Sequence, residues 1–181
     1  MNLVRSLGLL LFALGLSACS TLSEREPASA QSFHAQGLVG ITSPEGAESG
    51  NFNWQQQGMD YRIEFYGPLG LGATYLEGNS TGVVLTLSNQ QQYQAASPEA
   101  LLQKVLNWSL PVSGLRYWLL ARPIPNVPFT IIQNYQGQVL KLQQEGWNIH
   151  YEWQDQQNFA HKIVLTQQHL KVVIIINALS S

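Results

Sequence analysis

Met59-Asp60-Tyr61-Arg62-Ile63-Glu64-Phe65 alternates apolar and polar side chains without a fault. Such a run at period two is the signature of a strand with one buried face and one wet face. The same pattern recurs on either side of it. Asn51-Phe52-Asn53-Trp54 alternates, and Gln57-Gly58 supplies a turn into the quoted strand. Trp147-Asn148-Ile149-His150-Tyr151-Glu152-Trp153 is equally clean, entered through Glu145-Gly146 from Val139-Leu140-Lys141-Leu142. Val83-Val84-Leu85-Thr86-Leu87 follows the turn Gly78-Asn79-Ser80-Thr81-Gly82. The chain finishes with Ile163-Val164-Leu165 and a β-branched run from Leu170 to Ile176 that is apolar on both faces. Together these predict about ten or eleven strands joined by short turns, a mainly β antiparallel meander that rolls up.

One stretch breaks the pattern. Ser97-Pro98-Glu99 offers an N-cap, a proline at the first helical position and an acid in the first turn. Leu101, Leu102, Val105 and Leu106 then fall on one helical face, and Pro111 stops the helix. Ser113 is placed to cap a second helix through Leu115-Arg116-Tyr117-Trp118-Leu119-Leu120, ended by Pro123, Pro125 and Pro128. A helical pair therefore interrupts the sheet midway.

The 181 residues suit one domain, and 45% apolar content is enough for a core. Charged residues make up only 11%, and polarity comes instead from 20 Gln and 11 Asn. The net charge is -2 and the nine cations are scattered, which excludes nucleic acid as a partner because phosphate affinity needs clustered Lys and Arg. His34, His150, His161 and His169 lie far apart, with no HExxH and no cysteine to complete a metal site. Residues 78–82 satisfy G-x-S-x-G, but a nucleophile elbow needs a helix after it and here a strand follows. The chain is read as no enzyme, with no cofactor and no metal.

Two features exceed what a plain core requires. Phe52, Trp54, Tyr61, Phe65, Trp147, Tyr151 and Trp153 occupy alternating positions that point to the concave side of a rolled sheet, toward the apolar helices. Filled by side chains, that space is a core; left partly open, it is a cavity for one apolar ligand. The second feature is Tyr66-Gly67-Pro68-Leu69-Gly70-Leu71-Gly72, where Gly and Pro prevent regular pairing. Leu69 and Leu71 there either protrude toward a bilayer or partner, or fold back as a plug.

The N-terminus carries a separate message. Arg5 precedes the apolar run Leu7–Leu16, which is too short to span a membrane and reads as a signal peptide. Leu16-Ser17-Ala18-Cys19 resembles the bacterial lipobox, with the protein's single cysteine at the acylated position. The resemblance implies cleavage before Cys19 and a diacylglycerol on its sulfur, and Ser20 in place of Asp points to the outer membrane. Residues 20–32 lack apolar periodicity and read as a tether. The expected organisation is thus 1–18 signal peptide, 19–32 acylated cysteine and tether, and 33–181 folded domain.

The lipobox, the Gly-Pro-Leu-Gly loop after an alternating strand, Ser97-Pro98-Glu99-Ala100-Leu101-Leu102, Pro111-Val112-Ser113-Gly114-Leu115-Arg116-Tyr117-Trp118-Leu119 and the hairpin ending in Gly146-Trp147-Asn148-Ile149-His150-Tyr151 form an ordered set. That set resembles the LolB family of outer-membrane lipoprotein receptors over nearly the whole mature chain. The resemblance implies an incompletely closed antiparallel barrel with helices as a lid over an apolar cavity. It also implies a periplasmic carrier of LolA type as partner, acylated lipoproteins as cargo, and delivery into outer-membrane lipid by a monomer anchored on the periplasmic face through Cys19. A loop leucine promotes insertion in the family, and Leu69 matches it best, although this chain carries Leu71 as well. For the acyl cavity the expected walls are Leu101, Leu102, Val105 and Leu106 on the first helix, with Trp54, Phe65 and Trp147 opposite.

Overall fold

The computed structural model describes residues 32–67 and 72–181. Residues 1–31, where a signal peptide, the acylated Cys19 and a tether are expected, lie outside the described residues, as do Leu69 and Leu71. The chain runs β1 (Ser32–Ser43), β2 (Gly46–Gln57), β3 (Asp60–Tyr66), β4 (Thr74–Asn79), β5 (Gly82–Thr86) and β6 (Gln92–Ala95). Then come α1 (Pro98–Leu106) and α2 (Val112–Trp118), followed by β7 (Phe129–Gln133), β8 (Val139–Gln144), β9 (Trp147–Trp153), β10 (Ala160–Gln167) and β11 (Leu170–Ser180).

All the strands belong to one antiparallel sheet in the order β6-β5-β4-β3-β2-β1-β11-β10-β9-β8-β7. Every neighbour except β1–β11 is a sequential hairpin, so the turn residues set the register. Gly58 (φ 61°) turns β2 into β3, and Glu145 and Gly146 (φ 51° and 76°) supply the left-handed pair between β8 and β9. Between β4 and β5 the Asn79 side chain accepts from the Thr81 amide at 2.8 Å, so residues 78–82 form a hairpin turn.

The long pairing of β1 with β11 joins the two halves of the sheet. It contains a bulge between Gln36 and Gly37, where a Cβ on residue 37 would collide with the Ile175 carbonyl oxygen. Only glycine lets the two backbones approach there. This pairing also accounts for the doubly apolar last strand. Val172, Ile174 and Ile176 point into the core, while Val173 and Ile175 face outward against Gly40, Val164 and Leu38 on the flanking strands.

The inward side chains of the strands and the apolar faces of both helices meet in one core, so the sheet curls around the helices. Strands β6 and β7 are its edges and do not pair with each other. The barrel is therefore open, and the chain linking its two edges is the segment that carries α1 and α2.

Each helix is held by identifiable contacts. The Ser97 hydroxyl accepts from the Ala100 amide at 3.3 Å, the N-cap that the sequence predicts. Ser113, in contrast, lies inside α2 rather than capping it, because the helix already begins at Val112 after Pro111. The Glu99 carboxylate on α1 accepts from the Ser113 amide at 2.8 Å and does the capping across the helix pair.

The far end of α2 is fixed by one buried amide. The Gln144 Oε1 accepts from the Trp118 indole at 3.0 Å and from the Ile124 amide at 2.8 Å. Its Nε2 donates to the carbonyls of Ile124 (3.0 Å) and Val127 (3.1 Å). Gln144→Leu keeps the volume but strands these buried donors and acceptors, at about 1–3 kcal/mol for each group left unpaired. The expected loss in urea unfolding is about 3 kcal/mol or more, against about 0.5 kcal/mol for Gln143→Ala on the wet face of the same strand.

Candidate functional site

Two apolar cavities lie between the helices and the sheet. The inner one, about 30 Å³, is walled by Phe52, Trp54, Ile63 and Phe65 of the sheet and by Val112, Leu115 and Leu119 on and just after α2. The outer one, about 240 Å³, is bounded by Ile41, Phe65, Leu85, Leu102, Leu106 and Trp108. Val39 and Phe65 line both. The outer cavity reaches Tyr66, Gly67 and Gly72, the residues that bracket positions 68–71.

The cavities arise from simple local rules. On β2 and β3 the period-two pattern turns Phe52, Trp54, Ile63 and Phe65 to one face, and on α2 the spacing of Val112, Leu115 and Leu119 makes one stripe. Side chains of unequal length on a curved sheet leave space between the two layers.

Of the residues singled out in the sequence, Trp54 lies on the inner cavity, Leu102 and Leu106 on the outer one, and Phe65 on both. Leu101 is fully buried and Val105 half-buried in the core, and neither borders these two cavities. Trp147 is buried elsewhere: its ring packs on Trp118 with centroids 6.2 Å apart, and it borders a hollow beside the β7 edge. The contribution of α2 was missed, although the i, i+3, i+7 stripe of Val112, Leu115 and Leu119 was available as a signal.

A larger open groove of about 1000 Å³ lies at the opposite end of the barrel. Its walls mix polar and apolar surface, with Tyr61, Val83 and Val84 beside an Arg62–Glu77 ion pair of 2.6 Å. The groove is wide open to solvent, whereas the two smaller cavities are walled chiefly by apolar side chains, so the lipid-like volume is the smaller pair. Among the described residues no cluster of His, Cys, Asp or Glu could hold a metal ion.

Where the apolar interior ends, polar side chains take over. Gln56, two residues beyond Trp54 on β2, is 5% exposed and fully engaged. It accepts from the Trp54 indole at 2.9 Å and donates to the Gly58 carbonyl at 2.8 Å. Tyr61, two residues from Ile63 on β3, lies flat over Gly78, where a Cβ would collide with its ring. Burial pushes its hydroxyl up to about 12, the Glu99 carboxylate adds to that, and Arg116 opposes it. Burial also raises Tyr151.

The unfolded chain releases tyrosine protons near pH 10 while the native state keeps these two, so stability falls as pH rises through 10 to about 12. Urea midpoints are expected to be flat up to about pH 9 and to drop by pH 11, and Tyr61→Phe should remove part of that drop.

Comparison with known proteins agrees with this architecture. The family model for the outer membrane lipoprotein LolB matches residues 31–178. An outer-membrane lipoprotein LolB of Pseudomonas putida (strain W619) is 37% identical over 147 residues, which span 80% of this chain and 72% of the relative. The namesake from Chromohalobacter salexigens is 38% identical over 78% of this chain and 67% of its own length. Among solved structures, a LolA superfamily protein from Nitrosomonas europaea superposes with TM-score 0.50 at 8% identity, covering 85% of this chain and 86% of that one. A DUF1329 family protein from Desulfovibrio piger gives TM-score 0.50 at 7% identity, covering 82% and 85%. At such identities these two speak for the fold, whereas the match to nearly the whole folded chain speaks for descent: the chain belongs to the LolB family of outer-membrane lipoproteins.

Proposed function

We propose that this protein takes acylated lipoproteins from a LolA-like periplasmic carrier, holds their acyl chains between the sheet and α1, and passes them into outer-membrane lipid. As a member of the LolB family it is an outer-membrane lipoprotein receptor and not an enzyme. A lipid-binding or structural lipoprotein without a carrier partner is the less favoured reading. The observation that carries the proposal is the apolar cavity walled by Phe65, Leu102 and Leu106, which reaches the two glycines bracketing residues 68–71.

In this reading residues 1–18 are a signal peptide, Cys19 carries the anchor on the periplasmic face, and residues 20–32 tether a monomeric domain. Leu69, with Leu71 beside it, meets the bilayer. A cavity of about 240 Å³ falls below the roughly 300–1,000 Å³ of ordinary ligand pockets. Acyl chains therefore enter only when α1 swings outward on the Asn107–Pro111 segment and releases the Glu99–Ser113 contact. The Gln144 clamp keeps the end of α2 in place meanwhile.

Energetics favour such a loose grip. Burying a chain of about 16 carbons grosses roughly 12 kcal/mol at about 0.8 kcal/mol per CH₂. A preformed, tightly fitting cavity would hold its cargo indefinitely. The work of displacing α1 lowers the net affinity to a level from which lipid can reclaim the chains.

The test mixes carrier loaded with a tagged lipoprotein with the mature chain bearing Cys19→Ala. Most of the cargo is expected to move onto this protein. No transfer, with uptake of an apolar dye intact, would leave a lipid-binding module without a carrier. In the anchored protein, Leu69→Glu should leave acceptance unchanged and slow delivery into liposomes by at least about tenfold, since a carboxylate in the bilayer costs a few kcal/mol.

A further inference from the structure

We infer that Arg116 and Tyr61 form a binding site for the carbonyl oxygens that link the cargo's acyl chains to its head group. The inference rests on the acyl-chain reading of the cavity.

The inward row of β3 reads Tyr61, Ile63, Phe65, and the last two line the apolar cavity. Tyr61 is therefore about 7 Å along the same wall, at about 3.3 Å per residue. On α2, Arg116 follows Leu115, which lines the cavity from the other side. Met59, at the tip of the β2–β3 hairpin, meets Arg116 at 3.3 Å and brings the two elements together. A ligand with its tails against Ile63, Phe65 and Leu115 has its polar linkage at this layer.

The layer holds two donors with nothing to donate to. Arg116 Nε and the Tyr61 hydroxyl are both buried and without a hydrogen-bond partner. The rest of the guanidinium is weakly engaged, with one nitrogen on the Met59 sulfur and another on the Tyr117 hydroxyl at 3.0 Å. Its carbon sits 4.8 Å from the Tyr117 ring centroid. Ion pairs among the described residues are Arg62–Glu77 and Lys162–Glu152, so Arg116 has no carboxylate of its own. Neighbouring Gln56 is fully engaged and does not compete.

Buried donors are as a rule paired, so two orphans just beyond the lining of the apolar cavity, with Tyr61 on the wall of the larger groove, call for an acceptor oxygen. The tyrosine is a donor throughout the physiological range, as an ordinary tyrosine is, and burial pushes its hydroxyl higher still, to about 12. Glu99 is close enough to act on the same hydroxyl, so its charge offsets that of Arg116 and an uncharged acceptor fits better than a phosphate. Ester and amide carbonyls of an acylated cysteine are such acceptors, bonded directly to the chains that fill the cavity.

The test uses the mature chain with Cys19→Ala and a bound apolar dye, displaced by two synthetic lipopeptides with identical C16 chains, one ester-linked and one ether-linked. The ester form is expected to displace the dye about tenfold more tightly or better, as for a hydrogen bond to a charged donor. Arg116→Leu and the near-isosteric Tyr61→Phe should each shrink that ratio while the ether form is unaffected. Equal affinity of the two forms for the unsubstituted protein would overturn the carbonyl site and leave the cavity reading standing. Displacement by neither would overturn the cavity reading itself. Stronger, Arg116-dependent displacement by phosphatidylglycerol would show a phosphate site instead.

Discussion

The pairing of the first strand with the last is the constraint on which the rest of the structure depends. Because β1 and β11 lie side by side at the centre of the sheet, the edges must come from the middle of the chain. Those edges, β6 and β7, are separated in sequence by the two helices. The open side of the barrel and the helical cover are thus the same stretch of chain, and neither could be moved without the other. The bulge at Gly37 sustains this pairing, since a side chain there would force the Ile175 carbonyl away and open the sheet at its middle.

From that arrangement follows an unequal attachment of the two helices. The end of α2 is tied to β8 by the Trp118–Gln144 hydrogen bond and to β9 by the Trp118–Trp147 ring contact, and three more bonds from Gln144 to Ile124 and Val127 hold the segment that follows. Helix α1 rests on the short edge strands β5 and β6 and touches α2 through Glu99. Hydrophobic contact has no directional preference, whereas four hydrogen bonds to one buried amide do. A cover built this way can swing at one end while remaining in register at the other. In the proposed function, this unequal attachment is what lets acyl chains enter.

The interior is graded along the barrel rather than uniformly apolar. Ile63 and Phe65 give way to Tyr61 on one strand, and Trp54 gives way to Gln56 on its neighbour. Such a gradient matches an amphiphile, whose chains need apolar walls and whose linkage needs donors. In the carbonyl-site proposal, the polar side chains inside this barrel take part in binding.

Much of this was legible in the sequence because alternation is a local rule. Period two fixed which side chains of β2, β3 and β9 turn inward, Gly58 and Glu145-Gly146 fixed the turns, and Ser97-Pro98-Glu99 fixed the start of α1. The ordered motifs fixed the family. Tertiary structure decided what the inward side chains face. Trp147 has the inward parity of a cavity residue yet meets Trp118, and two of the abundant glutamines, Gln56 and Gln144, are buried. Alternation assigns a residue to a face but says nothing about the element across from it. Strand closure, the seating of α2 and the meeting of Arg116 with the β2–β3 hairpin all depend on contacts between residues distant in sequence. Only the folded sheet brings those residues together.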